Sequence, residues 1–310
     1  MNETPSSTPH PILICGPTAS GKSALGLKLA ERTGGYIVNA DALQVYDNWR
    51  VLTARPSIED EKNVEHQLYG HVSYSTTYSV GAWLRDLRGV LATSNARPII
   101  LGGTGLYFTT LTSGLTEIPE IPAEVRTQGN AIRATSNTHE FIKILAQTDP
   151  ETLAKTDQDN VMRLQRAWEV LTHTGRGLSS WQKDTPPPMI RLDETNPIIL
   201  NSQPEWLNQR IGKRFDKMLE NGALDECRAN LANWNPSLPA SRALGAPELI
   251  AYLNDEITLD QARERATIQT RQFAKRQRTW FRGKMKNWHQ TDLDDKTDLD
   301  VLADKILQND

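Results

Sequence analysis

A chain of 310 residues is long enough for one large domain or two ordinary ones, and 38% hydrophobic residues with 19 glycines exclude disorder along its whole length. No apolar stretch approaches the ~18 residues that span a bilayer, the opening MNETPSSTPH lacks a leader-like basic or apolar region, and two cysteines, Cys15 and Cys227, exclude a disulfide framework or four-ligand zinc site. The net charge of −3 says nothing by itself about nucleic acid, because the charge is unevenly spread. A soluble, cytoplasmic protein in a reducing compartment is expected.

Residues 11–15 (PILIC) predict a buried strand that ends in a glycine loop, and residues 22–33 a helix with Leu25 and Leu29 on one face. Residues 36–39 (YIVN) predict a second strand closing at Asp41, and residues 97–101 (RPIIL) another closing on Gly102-Gly103-Thr104-Gly105. Short apolar strands separated by helical stretches imply a parallel sheet covered on both faces, with ligands outside the carboxyl ends of its strands. Residues 118–188, opened by PEIP and closed near TPPP, are polar and helical, and are expected to form an inserted helical domain. Residues 197–200 (PIIL) return to the sheet, after which the pattern is helical to about Trp288, interrupted at Pro236, Pro239 and Gly245-Ala246-Pro247.

Near the end the charge separates. Residues 265–290 contain no Asp or Glu but carry Arg265, Arg271, Lys275, Arg276, Arg278, Arg282, Lys284 and Lys286. The last twenty residues are rich in aspartate, with Asp292, Asp294, Asp295, Asp298, Asp300, Asp304 and Asp310. The expected fold is therefore α/β, a P-loop parallel sheet core flanked by helices with a mostly helical insertion. Its expected parts are residues 10–117, 118–188, 189–290 and an acidic tail at 291–310.

Gly16-Pro17-Thr18-Ala19-Ser20-Gly21-Lys22-Ser23 fits G-x-x-x-x-G-K-[ST] between a strand and a helix. Its backbone N–H groups converge on phosphate oxygens, Lys22 adds a point charge, and the Ser23 hydroxyl can ligate Mg²⁺. Nucleotide hydrolases add a strand ending in Asp to hold the metal, yet RPIIL ends in Gly-Gly, and no Asn-Lys-x-Asp occurs, which disfavours a GTP switch. In NADALQVY, Asp41 stands at the ligand edge, where a carboxylate takes a proton from a nucleophile, holds metal, or serves as the N-cap of the next helix. His66 and His71, irregularly spaced with no cysteine nearby, are expected to be structural rather than metal ligands.

GPTASGKS, NADALQVY, TARP at residues 53–56, GGTGLYF at 102–108, RLQRAWEV at 163–170 with TGR at 174–176, and TRQFAKRQRTWFR at 270–282 occur in that order. In this combination the chain, over about residues 11–290, resembles the bacterial tRNA dimethylallyltransferases. The resemblance implies that the loop cradles the diphosphate of dimethylallyl diphosphate rather than ATP for hydrolysis. It further implies that the N6 amine of the adenosine 3′ of the anticodon displaces diphosphate, and that Asp41 orients and deprotonates that amine. Arg210, in QRIGKRF, matches an arginine aimed at the diphosphate, with Arg214 the alternative one turn later. By the same resemblance Asp41, Ala42, Leu43, Gln44 and Thr104 grip a base swung out of its stack. Arg163, Arg166 and Arg242 approach the anticodon stem-loop, and Lys275, Arg276, Arg278 and Arg282 meet RNA phosphates, with Trp280 and Phe281 serving stacking or the core.

The chain departs from the family pattern at Arg55, where lysine is common, at Gln67, where a second histidine is frequent, and at Leu244-Gly245-Ala246-Pro247 in place of V-G-Y-R. Expected partners are tRNA and dimethylallyl diphosphate, with Mg²⁺ as cofactor, no membrane, and a monomeric chain. The competing readings are a P-loop kinase of a small metabolite, a non-catalytic RNA-binding ATPase, and an adenylate isopentenyltransferase. The acid-free basic stretch disfavours the kinase, the missing strand-terminal Asp disfavours an RNA-binding ATPase or switch, and the large helical insertion with the basic C-terminal half favours tRNA over AMP.

Overall fold

Four apolar segments form the centre of the protein because each buries both of its faces. In the computed structural model, which describes residues 9–308, these are β1 (Ile12–Cys15), β2 (Tyr36–Asn39), β4 (Pro98–Gly102) and β5 (Asn196–Asn201), each buried throughout or nearly so. With the short β3 (His66–Gln67) and β6 (His289–Asp292) they make a six-stranded sheet in the order β3-β2-β4-β1-β5-β6. Every pairing is parallel, with Ile14 opposite Leu101 on one side of β1 and Ile198 on the other. Parallel strands need crossover elements, which place helices on both faces.

Those crossovers are α1 (Lys22–Thr33), α2 (Ile58–Asn63), α3 (Val80–Thr93) and α4 (Gly105–Ser113). The chain separates into two compact units, residues 1–112 with 190–310, and residues 113–189. The second holds α5 (Ala123–Ser136), α6 (His139–Thr148), α7 (Pro150–Lys155), α8 (Val161–Thr174) and α9 (Leu178–Lys183), with no strand among its described residues. Its core is Phe141, Leu145, Leu164, Ala167 and Trp168, the periodic apolar faces of α6 and α8. Asp149 and Asn160 cap α7 and α8 by accepting backbone N–H bonds, so these turns are written locally.

After β5 the first unit continues with α10 (Pro204–Glu220), α11 (Ala223–Leu231), α12 (Ala246–Leu253) and α13 (Leu259–Lys284). A second core of Val45, Tyr46, Trp49, Phe215, Leu249 and Ile250 packs α10 to α13 against the segment after β2. The breaks at Pro236, Pro239 and Gly245 fall between these helices as expected.

The expected acidic tail is not a separate piece. Residues 289–292 add β6 in register on β5, and α14 (Leu299–Gln308) buries Ala303 and Ile306 in the same core as Leu25 and Leu29 of α1. Its aspartates answer cations on α1: Asp304 accepts from Arg32 Nε at 2.7 Å, and Asp300 accepts from Arg32 Nη2 at 2.7 Å and lies 3.2 Å from Lys28. Asp310 and the first eight residues lie outside the described residues. Among the described residues no helix is long and apolar enough to cross a membrane.

Candidate active site

The ends of β1, β2 and β4 converge on one cavity. Gly21, at φ 97°, takes the left-handed turn that starts α1, a conformation without steric cost only for glycine. Lys22 then folds back over its own loop, donating to the carbonyls of Gly16 and Pro17, both at 2.8 Å. Burial lowers the Lys22 pKa to about 8; neighbouring Asp41 opposes that shift and Arg214 adds to it. Ser23 and Thr18 line the same cavity, Ser23 on an exposed first turn of α1.

Asp41 is placed by Asn39, which is fully buried. The Asn39 side chain accepts from Asp41 N at 2.8 Å and donates to the carbonyls of Asp41 and Leu68, both at 3.0 Å. Asp41 Oδ1 in turn accepts from Leu43 N at 2.9 Å, closing an Asx turn. No helix follows before Ile58, so the capping role considered for Asp41 belongs to a turn and not to a helix. Thr104 Oγ1 accepts from Ala42 N at 2.9 Å, and Gln44 donates to the carbonyls of Thr53 and Ala54 at 2.9 and 3.0 Å. Both amide protons of Gln44 are thereby occupied, and its carbonyl oxygen remains to accept.

The facing wall comes from α10 and α13. Ile211, Arg214, Phe215, Met218, Thr270 and Phe273 line it, with Leu52 and Leu244 beside them; the space between the walls, including its open mouth, is about 830 Å³. Arg214 faces the cavity, where burial lowers its pKa and the Asp41 carboxylate opposes that shift. Arg210 lies elsewhere: its Nε donates to the Ala19 carbonyl at 2.9 Å and its guanidinium sits 4.6 Å over the Trp206 ring. Of the two arginines left open by the sequence, Arg214 joins Asp41 and Lys22, while Arg210 braces the loop from outside.

The remaining expected contacts are surface groups. Lys275, Arg276 and Arg282 are exposed on α13, Arg278 is half-buried, and Arg242 is exposed on the turn before α12. Phe281 belongs to the core at 2% exposure, and Trp280 packs against Gly105 so closely that a Cβ there would stand 2.1 Å from its ring. In the helical unit Arg163 is exposed and Arg166 half-buried, 4.0 Å from Glu169. His66 contacts the Val64 carbonyl at 2.8 Å, and His71 contacts Tyr78 and Asp86 at 3.3 Å.

The apolar lining residues Leu52, Ile211, Phe215, Met218 and Phe273 had no signal of function in the sequence, and one polar residue behind the loop escapes the same reading. Gln277, on the inward stripe of α13, accepts from Thr18 N at 2.8 Å and donates to the Gly103 carbonyl at 2.9 Å. Its signal was a polar residue at helical spacing between Ala274 and Phe281, which are buried with it.

Fold and site together define a parallel α/β protein in which a glycine loop, a carboxylate and an apolar wall surround one cavity. Residues 44–284 match the family described as IPP transferase, and residues 10–69 the one described as isopentenyl transferase. The tRNA dimethylallyltransferase of Dinoroseobacter shibae is 57% identical over 91% of this chain and 94% of its own length. Among solved structures, a tRNA isopentenylpyrophosphate transferase from Staphylococcus epidermidis is 28% identical with a TM-score of 0.67, covering 96% of this chain and 98% of that one. A eukaryotic dimethylallyltransferase described as acting on tRNA is 25% identical with a TM-score of 0.82, over 96% of this chain and 77% of that one. The chain belongs to the IPP transferase family.

Proposed function

We propose that this chain transfers the dimethylallyl group of dimethylallyl diphosphate to the N6 amine of the adenosine immediately 3′ of the anticodon in tRNA, releasing diphosphate. The observation that carries the reading is the pairing of a phosphate cradle with an apolar wall of Leu52, Ile211, Phe215, Met218, Leu244 and Phe273 in one cavity with Asp41. A five-carbon tail uses such a wall, whereas phosphoryl transfer to water or a hydroxyl has no need of it. The relatives' names point the same way.

In this reading the C1–O bond of the donor breaks as the N6–C1 bond forms, and the N6 proton passes to Asp41. The adenine amine is conjugated with its ring and a poor nucleophile, so a positioned acceptor raises its reactivity. Charge developing on the departing diphosphate is met by Lys22, Arg214 and the backbone amides of Gly21, Lys22 and Ser23, those of Thr18 and Ser20 being given to Gln277 and the Pro17 carbonyl. Arg210 acts indirectly, by fixing Ala19. Mg²⁺ fits the oxygen-only donor set that lines this edge, in which Ser23, with Thr18 beside it, would hold the ion; it would neutralise diphosphate charge.

The adenine must leave its stack to reach Asp41, which costs a few kcal/mol that backbone contacts offset. Ala42, Leu43, Gln44 and Thr104 hold the base, with Gln44 as an acceptor. Arg163, Arg166, Arg242, Lys275, Arg276, Arg278 and Arg282 contact the anticodon stem-loop. The chain acts as a monomer in the cytoplasm.

The test is incubation with unmodified tRNA and either dimethylallyl diphosphate or ATP, followed by mass analysis of the RNA and assay of released phosphate. A gain of one five-carbon unit by tRNA with the first donor is expected. Phosphate release from ATP without RNA modification would overturn the reading.

A further inference from the structure

We infer that Gln277 is a positioning residue for the transfer, a strut that sets the spacing between the diphosphate loop and the turn carrying the base-gripping residues. The inference rests on the proposed prenyl transfer. Gln277 is 6% exposed, in a helix stripe otherwise made of Ala274 and Phe281. An amide there is stable only if its polar atoms are paired. Both ends are: Oε1 takes Thr18 N–H of the loop, and Nε2 gives to the Gly103 carbonyl at the end of β4.

The two loops it joins are far apart in sequence and carry opposite tasks. Residues 16–23 receive the leaving group, while Gly103 precedes Thr104, which holds Ala42 beside Asp41. A Cβ on Gly103 would stand 2.2 Å from Gln277 Nε2 and 3.1 Å from Asp41 Oδ2, so amide and carboxylate flank the same glycine. One side chain thus gauges the distance from the donor cradle to the acid. It does so without touching substrate, since the hydrogen bonds at both its ends go to backbone.

Displacement of a reacting group by about 1 Å costs on the order of 10²-fold in rate. Gln277→Met keeps the length and volume but removes both hydrogen bonds. The single-turnover rate at saturating dimethylallyl diphosphate and tRNA should fall roughly 10- to 100-fold, with the donor KM and the tRNA Kd close to wild type and a melting temperature lowered by the two backbone groups left without partners. Gly103→Ala, which crowds the same amide, should reproduce the loss, and the double variant should be no slower than the slower single one.

A wild-type rate for Gln277→Met at saturation would overturn the inference, as would a loss confined to donor KM or to melting temperature. Should Gln277→Met not fold, Gln277→Glu, which keeps an acceptor for Thr18 N–H but has no proton to give the Gly103 carbonyl, carries the same test. Wild-type enzyme that leaves tRNA unmodified would instead overturn the prenyl-transfer reading, and the strut would fall with it.

Discussion

The two walls of the cavity are made in different ways. The strand-end wall, with Gly16 to Ser23, Asp41 to Gln44 and Gly102 to Thr104, is built from loops that follow buried strands, and many of its polar contacts link residues a few positions apart, such as Asp41 with Asn39 and Leu43. The helix wall is mostly apolar, contributes the single cation Arg214, and reaches the loop through contacts 191 and 259 residues apart in sequence. The first wall carries its chemistry in motifs; the second carries it in packing. Chemistry should therefore concentrate on the strand-end side, with the helix side setting which ligand fits.

The largest effect that tests this division is at Asp41. Asp41→Asn preserves the Asx turn but removes the proton acceptor, so transfer at saturating substrates should fall by about 10²–10⁴-fold. Binding of tRNA should change little, as measured with labelled tRNA on a filter. Near wild-type transfer of labelled dimethylallyl diphosphate would remove Asp41 as the base and break the comparison. Next in size are the two arginines. Arg214→Gln should cost roughly 10²-fold in kcat/KM for the donor, because it removes a cation from the leaving-group site, and Arg210→Gln less than about tenfold, because it loosens only a brace. Equal losses, or the reverse order, would place the diphosphate on the Ala19 side of the loop, beside Arg210, and not in the cavity that Arg214 faces.

Much of the strand-end wall was legible in the sequence. The glycine loop, the strand ending at Asp41 and the Gly-Gly-Thr-Gly turn all combine an apolar run with a loop of distinctive composition, and α1 spans the expected 22–33. What was not legible depends on tertiary context. β6 is HQTD, a polar, exposed edge strand whose identity comes only from its register on β5. Residues 299–308 looked like a charged tail because the cations that answer Asp300 and Asp304 sit on α1, some 270 residues earlier. Arg210 and Arg214 lie one turn apart on one helix, and only the packing of Leu207 and Ile211 against Ala19 and Ala274 decides which guanidinium enters the cavity.

A smaller effect concerns proton binding where the walls meet. Lys22 is charged below its pKa of about 8 and neutral above it, held low first by burial, with Arg214 adding to the shift against Asp41. The charged form grips the diphosphate, so kcat/KM for the donor should be level below that pH and fall by roughly tenfold per unit above it. Bound diphosphate favours the charged lysine, so kcat should hold to higher pH than kcat/KM. A profile of kcat/KM that stays flat well beyond pH 8 would mean that the arginine side alone holds the leaving group.

The smallest expected effect separates the two faces of α13 itself. Its inner face lines the cavity through Thr270 and Phe273; its outer face presents Lys275 and Arg276, with Arg278 half-buried beyond them and no acid from 265 to 290. If the outer face meets RNA phosphates, the triple variant Lys275→Gln, Arg276→Gln, Arg278→Gln should weaken tRNA binding. It should also flatten the slope of log K against log salt by about 2 to 3, since each of the three lost phosphate contacts releases roughly 0.7–0.9 counterion fewer. The donor KM and the single-turnover rate at saturating tRNA should stay near wild type, because none of the three lines the cavity. A lower saturated rate with an unchanged salt slope would place these residues in support of the inner face, and the division between a face that binds and a face that positions would not hold.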